Sequence, residues 1–337
     1  MKKLKLGVAG LGKLGIKHAR NIAFQLPDAE LAAISTRTRE KVKSIQKDWQ
    51  IAYAYTNYEE MIQNNELDAV VIASRSTEHY KQVILALEAG LHVFCEKPLG
   101  ITNEECNYLQ KIAEKHAGQV FMVGFMRRYD PAYTYAKSKI KMGAIGTPFL
   151  VRCYSLDPNY LINDLINSSE ANGGLFIDMG VHDIDLARWF LESEANSVYA
   201  LGATYLHDQL KQTNDIDNGT AIIKFENNKI GLFYSGRTAP HGYHIETEIV
   251  GTHGTLQIQS IPKKNQVMVY DEYGASHPIV SNFIDRFDNA FKLEMHEFIQ
   301  AIQENRPPGT TIDDGIKATE ISSAANKSLQ EQQVMYF

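Results

Sequence analysis

The first third of the chain alternates short apolar runs with segments whose apolar positions recur at helical spacing. Lys5–Ala9, Glu30–Ile34, Ala69–Ala73, His92–Cys95 and Val120–Gly124 read as strands. Ala69–Ala73 is an unbroken apolar run, as expected of a buried strand. Between them, Leu14–Gln25, Arg39–Asp48, Glu78–Ala89 and Asn103–Lys115 carry the helical period. Gly90 suits a C-cap and Thr102 an N-cap. Strand followed by helix, repeated, predicts an α/β class domain, a doubly wound parallel sheet of Rossmann type over residues 1–124.

Beyond Gly124 the rhythm changes. Strand-like segments at Phe149–Tyr154, Thr220–Phe225, Ile230–Tyr234, His244–Val250 and Val267–Tyr270 follow one another with few helices between, and Asn227-Asn228 reads as a hairpin turn. Helical patterns appear at Gly174–Leu191, Phe287–Asn305 and Asp313–Leu329. The expectation over 125–337 is an α+β domain on a largely antiparallel open sheet, with a sheet face free to meet another subunit.

Bulk properties narrow the function classes. A chain of 337 residues is long for one core, so two domains are expected. The formal charge is −6 and no basic cluster is longer than Arg127-Arg128, which gives no electrostatic footprint for nucleic acid or an anionic membrane. No apolar run is long enough to span a bilayer, and glycines interrupt the N-terminal residues before they resemble a secretion signal. Cys95, Cys106 and Cys153 are odd in number and lack paired ligand spacing, which argues against a disulfide framework and against a cysteine-rich zinc site. Cytoplasmic small-molecule chemistry without a metal is the expectation.

Gly10-Leu11-Gly12-Lys13-Leu14-Gly15 fits G-x-G-x-x-G and stands between the first strand and the first helix. There the missing Cβ atoms allow a tight turn, close approach of a pyrophosphate and close packing of helix on strand. The acid expected about 20 residues further on, which grips the adenosine ribose of NAD, is missing. The segment reads Ile34-Ser35-Thr36-Arg37. Ser35 suits a ribose hydroxyl or a 2′-phosphate, and Arg37 suits that phosphate or, with Arg39, a solvated rim. NAD is the expected cofactor, with NADP left open.

Three further segments are specific: Cys95-Glu96-Lys97-Pro98, Gly124-Phe125-Met126-Arg127-Arg128-Tyr129-Asp130-Pro131, and residues 173–185, which run Gly-Gly-Leu-Phe-Ile-Asp-Met-Gly-Val-His-Asp-Ile-Asp. With the glycine loop they resemble, nearly end to end, the glucose–fructose oxidoreductase and inositol dehydrogenase family, and within it the inositol 2-dehydrogenases. The resemblance implies a Rossmann domain joined to an α+β domain, assembly as homotetramers, and hydride transfer from a ring hydroxyl of myo- or scyllo-inositol to nicotinamide. It also implies Lys97, Asp178 and His182 as the catalytic group, with Arg127 and Asp157 near substrate or cofactor. Ser74, Ser76 and His79 would line the nicotinamide half of the groove beside Glu96 and Lys97. Ser35 departs from the pattern, since many inositol dehydrogenases carry an acid there.

The residue chemistry fits that reading. Alcohol oxidation needs a base for the hydroxyl proton, and a histidine near neutral pKa is matched to it. Asp178 lies four residues before His182 on what reads as one helix, so the carboxylate shares its face and can orient the imidazole or hold a substrate hydroxyl. Lys97 follows a buried strand, where ligands bind in open α/β sheets, and its ammonium can stabilise alkoxide charge; Pro98 fixes the backbone beside it. Each has a structural alternative: a helix-end acid, a core histidine, a solvated lysine. His241 and Tyr243 either reach substrate hydroxyls or pack a loop. Two other functions remain, an aldose dehydrogenase or reductase of the same family and a non-catalytic nicotinamide-binding sensor.

Overall fold

The structure, a computed structural model, describes residues 3–166, 173–258 and 263–337. The chain divides into two compact units. One comprises Met1–Asp130 and Asp288–Thr319, the other Pro131–Phe287 and Glu320–Phe337.

The first unit is built on six parallel strands in the order β3-β2-β1-β4-β5-β6. They are β1 (Leu4–Ala9), β2 (Ala29–Ser35), β3 (Tyr53–Tyr55), β4 (Ala69–Ile72), β5 (His92–Glu96) and β6 (Phe121–Gly124). β4 and β6 are buried at every position, as their unbroken apolar runs require. The helix Asn103–Lys115 starts at a capping box: the Thr102 hydroxyl accepts from the Glu105 amide and the Glu105 carboxylate accepts from the Thr102 amide. Gly90 follows the helix Ser76–Glu88 with a φ of +81°, the left-handed conformation its place after a helix end suggests.

A single cut after Gly124 does not separate the units. The helix Asp288–Gln303 returns to the first unit and packs against the helix Lys13–Gln25. Its Met295, Phe298 and Ile299 join Leu6, Val8 and Phe94 in one core. The Thr310 hydroxyl then donates to the Val123 carbonyl at 2.6 Å and extends the attachment along β6. Periodicity shows that such a helix is amphipathic but not which core it covers, so sequence order misassigned it.

The second unit carries a seven-stranded sheet in the order β12-β11-β7-β10-β9-β8-β15. Its strands are β7 (Pro148–Pro158), β8 (Ala195–Ala203), β9 (Asn218–Phe225), β10 (Ile230–Ala239), β11 (His244–Gly251), β12 (Gly254–Ile258) and β15 (Met335–Tyr336). β13 (Val269–Asp271) and β14 (Gly274–Ser276) form a separate exposed ribbon, displaced by two residues from the strand expected at Val267. β7 and β10 run parallel and the remaining pairs of the large sheet antiparallel. Asn227 and Asn228, at φ of +56° and +57°, turn the chain between β9 and β10. Along β9, Ala221, Ile223 and Phe225 are buried while Thr220, Ile222 and Lys224 face outward. The outer face is itself partly apolar, with Leu201, Ile222 and Phe149 exposed. The helix Val181–Leu191 is buried at every position except Trp189 and packs on β7. The continuous α-helix expected from Gly174 begins instead with a π-helical turn at Phe176–Gly180. Such turns widen the helix locally and recur at functional sites.

Candidate active site

The glycine loop shows three distinct steric demands. At Gly10, with φ +85°, a Cβ would stand 2.6 Å from the Ala73 carbonyl oxygen. At Gly15 a Cβ would stand 1.8 Å from the Gly10 carbonyl oxygen, so the helix could not start where it does. At Gly12 a Cβ would meet nothing within 4 Å. The first two glycines are needed by the protein's own backbone. The third keeps open the space that a close-lying ligand would use.

That space belongs to a cavity of about 530 Å³ within the first unit, lined by Gly10, Leu11, Gly12, Ser35, Arg37 and Ser74 among others. Its size suits a cofactor portion of nucleotide dimensions. Ser35 is buried at the end of β2, and its carbonyl accepts from the Gly10 amide at 2.9 Å, which ties the loop to the strand. The Ser74 hydroxyl donates to the Gln82 Oε1 at 2.7 Å. The acids on this wall, Glu59 and Glu78, come from outside β2, and Glu59 pairs with Lys81 at 2.8 Å. The place of the ribose-binding acid is therefore held by a serine, with the exposed Arg37 on the same wall.

Several expected site residues lie outside the lining of this cavity, and one of them braces the backbone. His79 is buried and donates from Nδ1 to the Pro98 carbonyl at 2.8 Å. Burial holds its pKa below the ordinary histidine value despite that bond. The neutral ring therefore braces the turn that carries Lys97, whose peptide bond to Pro98 is cis. Glu96 is buried as well and lies 2.7 Å from the His18 Nε2. Lys97 is half-exposed, Ser76 is the first residue of its helix, and Lys13 and Leu14 open the helix after the glycine loop. Arg127 is buried in the short turn Met126–Tyr129, beside an Arg128 that pairs with Asp314 at 2.8 Å.

In the second unit the decisive feature is a buried arginine. Along β10, Phe233, Ser235, Arg237 and Ala239 fall on the inward phase, which places Arg237 in the interior without exposed surface. Its guanidinium lies 2.5 Å from the Asp215 Oδ2 and 3.3 Å from the Asp178 Oδ2. Burial opposes the charge, but Asp178 and Asp215 outweigh it, with Asp157 contributing, and hold the arginine above its ordinary pKa. Asp215 also accepts from the Leu175 and Ile216 amides at 2.8 Å each. The carboxylate of Asp178 is thus aimed by a fixed partner on another element, and His182 sits one turn further along the same helical segment, largely buried.

Two matches cover most of the chain. Residues 4–125 match the oxidoreductase family with the NAD-binding Rossmann fold, and residues 133–257 match the GFO/IDH/MocA C-terminal domain. The chain is 31% identical to the scyllo-inositol 2-dehydrogenase (NAD(+)) of Bacillus subtilis, over 97% of this chain and 94% of that protein. The chain belongs to the GFO/IDH/MocA oxidoreductase family. Among solved structures of this family, scyllo-inositol dehydrogenase from Lactobacillus casei, with bound NAD(H) and scyllo-inositol, aligns with a TM-score of 0.95 and 37% identity over 99% of each chain. Myo-inositol 2-dehydrogenase from Lactobacillus plantarum aligns with a TM-score of 0.96 and 34% identity over 100% of each chain. The cofactor expectation of NAD agrees with the matched Rossmann family, and the glycine loop supplies the space for it.

Within this family frame, the structure gathers Asp157, Asp178 and Asp215 around Arg237 in the second unit. Arg237 and Asp215 escaped the sequence reading. The available signal was a charged residue on the buried phase of a strand, which needs a carboxylate partner. His241 is exposed, 3.0 Å from His244 through their ring nitrogens, and Tyr243 is buried with its ring edge toward Phe287. Tyr243 packs against Phe287, and His241 is exposed.

Proposed function

We propose that this protein oxidises a ring hydroxyl of an inositol, myo or scyllo, to the corresponding ketone with NAD as hydride acceptor. The observation that carries this reading is the Arg237-held Asp178 on the same helical segment as His182. It is an oriented acid and histidine, joined in one chain to a glycine loop shaped for a dinucleotide. The named relatives and their ligands support the substrate class.

When bound, the nicotinamide supplies the electrophilic carbon that accepts a hydride from the carbinol. His182 takes the hydroxyl proton as that hydride leaves, because an alkoxide is too basic to be released into water. Asp178, fixed by Arg237, orients the imidazole or a neighbouring hydroxyl. By the family resemblance, Lys97 offers a positive charge to the developing alkoxide. Arg127, Asp157 and His241 are candidate contacts to the remaining ring hydroxyls or to the cofactor. By the same family resemblance the working form is a cytoplasmic homotetramer, to which the partly apolar outer face of the large sheet is suited.

A panel of inositols, other cyclic polyols and aldoses, followed by nicotinamide absorbance, tests the reading. Turnover of myo- or scyllo-inositol, abolished in His182→Ala and Lys97→Ala with NAD affinity retained, is expected. Oxidation of aldoses alone would replace inositol with a sugar, and unchanged turnover in both variants would remove the assigned base and ammonium.

A further inference from the structure

Glu294 lies in the first unit, on the helix Asp288–Gln303, with no exposed surface. Neither of its carboxyl oxygens has a hydrogen-bond partner among the described residues. One carboxyl oxygen of Glu294, one of Glu96 and a ring nitrogen of His18 all lie within 4.8 Å of one another. Glu96 is the residue that immediately precedes Lys97.

The surroundings fix the rest of the cluster firmly. The His18 ring stands edge-on to Phe94 and Phe291, with ring centres 5.2 and 5.7 Å away. Gly124, paired with Glu96 across β5 and β6, leaves room for the carboxylate, since a Cβ there would lie 2.8 Å from the Glu96 Oε2. The helix Lys13–Gln25 also brings Lys17, which pairs with Asp288. It brings Asn21 as well, which is buried with no partner for its side-chain atoms among the described residues. The turn Met126–Tyr129 brings Arg127, Arg128 and Tyr129; Arg128 pairs with Asp314, and the Tyr129 hydroxyl meets the Thr310 hydroxyl. Burial raises the pKa of that tyrosine, so it adds no charge.

A carboxylate buried with no hydrogen bond, facing a second carboxylate, is the costliest state available to these side chains. A proton removes that cost. We propose that Glu294 is a positioning residue, kept as a neutral carboxylic acid so that no second carboxylate charge competes with Glu96 for its contact with His18 at the root of Lys97. Burial and then the charge of Glu96 push the Glu294 carboxyl well above the usual range, in agreement with that geometry. An ionised Glu294 would place a second anion behind the turn and pull Glu96 from His18, moving Lys97 with it. The role of Lys97 in this argument rests on the function proposed above; the protonation state of Glu294 does not.

The test compares Glu294→Gln, which keeps a neutral polar group, with Glu294→Leu, which removes it. A carboxyl raised in the folded state binds its proton more tightly there than in the unfolded chain. Its stabilising contribution is present at low pH and is lost as pH rises above the ordinary carboxyl range. The wild type should therefore lose melting temperature with rising pH more steeply than Glu294→Gln. Its infrared spectrum should also contain a protonated-carboxyl band that Glu294→Gln lacks. These two readouts need no substrate, and they decide the protonation state even where Glu294→Leu fails to fold. In turnover, both variants are neutral at this position, so each that folds should keep kcat within about twofold at neutral pH, and the fall in wild-type kcat at alkaline pH, where Glu294 ionises, should be missing in Glu294→Gln. Identical pH-melting slopes and a missing band would overturn the proposal. So would a loss of about tenfold in kcat in Glu294→Gln, alkaline kcat profiles that coincide in the wild type and Glu294→Gln, or one equivalent of bound metal in the purified protein. Failure of inositol turnover alongside the expected band and slope would count against the proposed function alone.

Discussion

Replacing Arg237 with methionine isolates the buried ion triad, because methionine keeps much of the side-chain length and removes the charge. Arg237 has no exposed surface; its partners Asp215 and Asp178 have side chains that are 3% and 19% exposed. Removing one partner of a buried pair costs about 3–5 kcal/mol, since the carboxylates left behind stay desolvated. Asp178 reaches solvent in part and Asp215 retains two backbone amide donors, so the lower end, about 3 kcal/mol, applies here. At roughly 2–4 °C per kcal/mol for a domain of this size, the melting temperature should fall by about 6–12 °C. Turnover should fall too, because Asp178 loses the group that aims it, while NAD affinity stays unchanged because the glycine loop belongs to the other unit. Adding Asp215→Asn removes one of the stranded charges, so the double variant should be less destabilised than the sum of the single changes. Thermal and urea melts of the four proteins, with kcat for each, make the measurement. Arg237→Met melting within about 1 °C of wild type, with unaltered kcat, would refute the structural role of the triad.

The remaining expectations follow from the cofactor unit. Gly12→Val should keep the melting temperature and lose NAD binding, because its side chain enters open space; Gly15→Ala should instead destabilise the fold through contact with the Gly10 carbonyl. Isothermal titration and melting curves separate the two, and reversed phenotypes would overturn the assignment of the glycines. Arg37→Ala should weaken NADP more than NAD, as read by KM for each, because no acid at the end of β2 excludes a 2′-phosphate; equal effects would make Arg37 a solvated rim. His79, held neutral by burial, binds its proton less readily in the folded chain than in the unfolded one. Its stabilising contribution is therefore complete above about pH 6.5 and is lost as pH falls below that value. His79→Gln should show a shallower loss of melting temperature between about pH 7 and about pH 5, and parallel curves would exclude this linkage.

Local patterns carried the fold where local physics sets it. Unbroken apolar runs identified β4 and β6, Thr102 and Gly90 marked helix ends, and the paired asparagines turned a hairpin. β8 escaped because apolar residues such as Leu201 stand on its exposed face and blur the two-residue alternation. The return of Asp288–Gln303 to the first core escaped for a different reason. Its apolar face declares that it is covered, but the choice between two cores depends on tertiary shape that no window of sequence contains.

The same division runs through the site. The glycine loop is a contiguous motif, so each of its steric requirements can be read before any fold is known. The Asp178–Arg237–Asp215 triad and the His18–Glu96–Glu294 cluster are each assembled from three separate segments, and no spacing along the chain connects their members. What the sequence does show is that polar residues occupy positions whose neighbours are buried: Arg237 on the inner phase of a strand, Glu294 between Phe291 and Phe298 on a core helix. A buried charge must be paired and a buried acid paired or protonated, so each such position poses a question that only the fold answers. For Arg237 the answer is two carboxylates, one of them on the segment that carries His182.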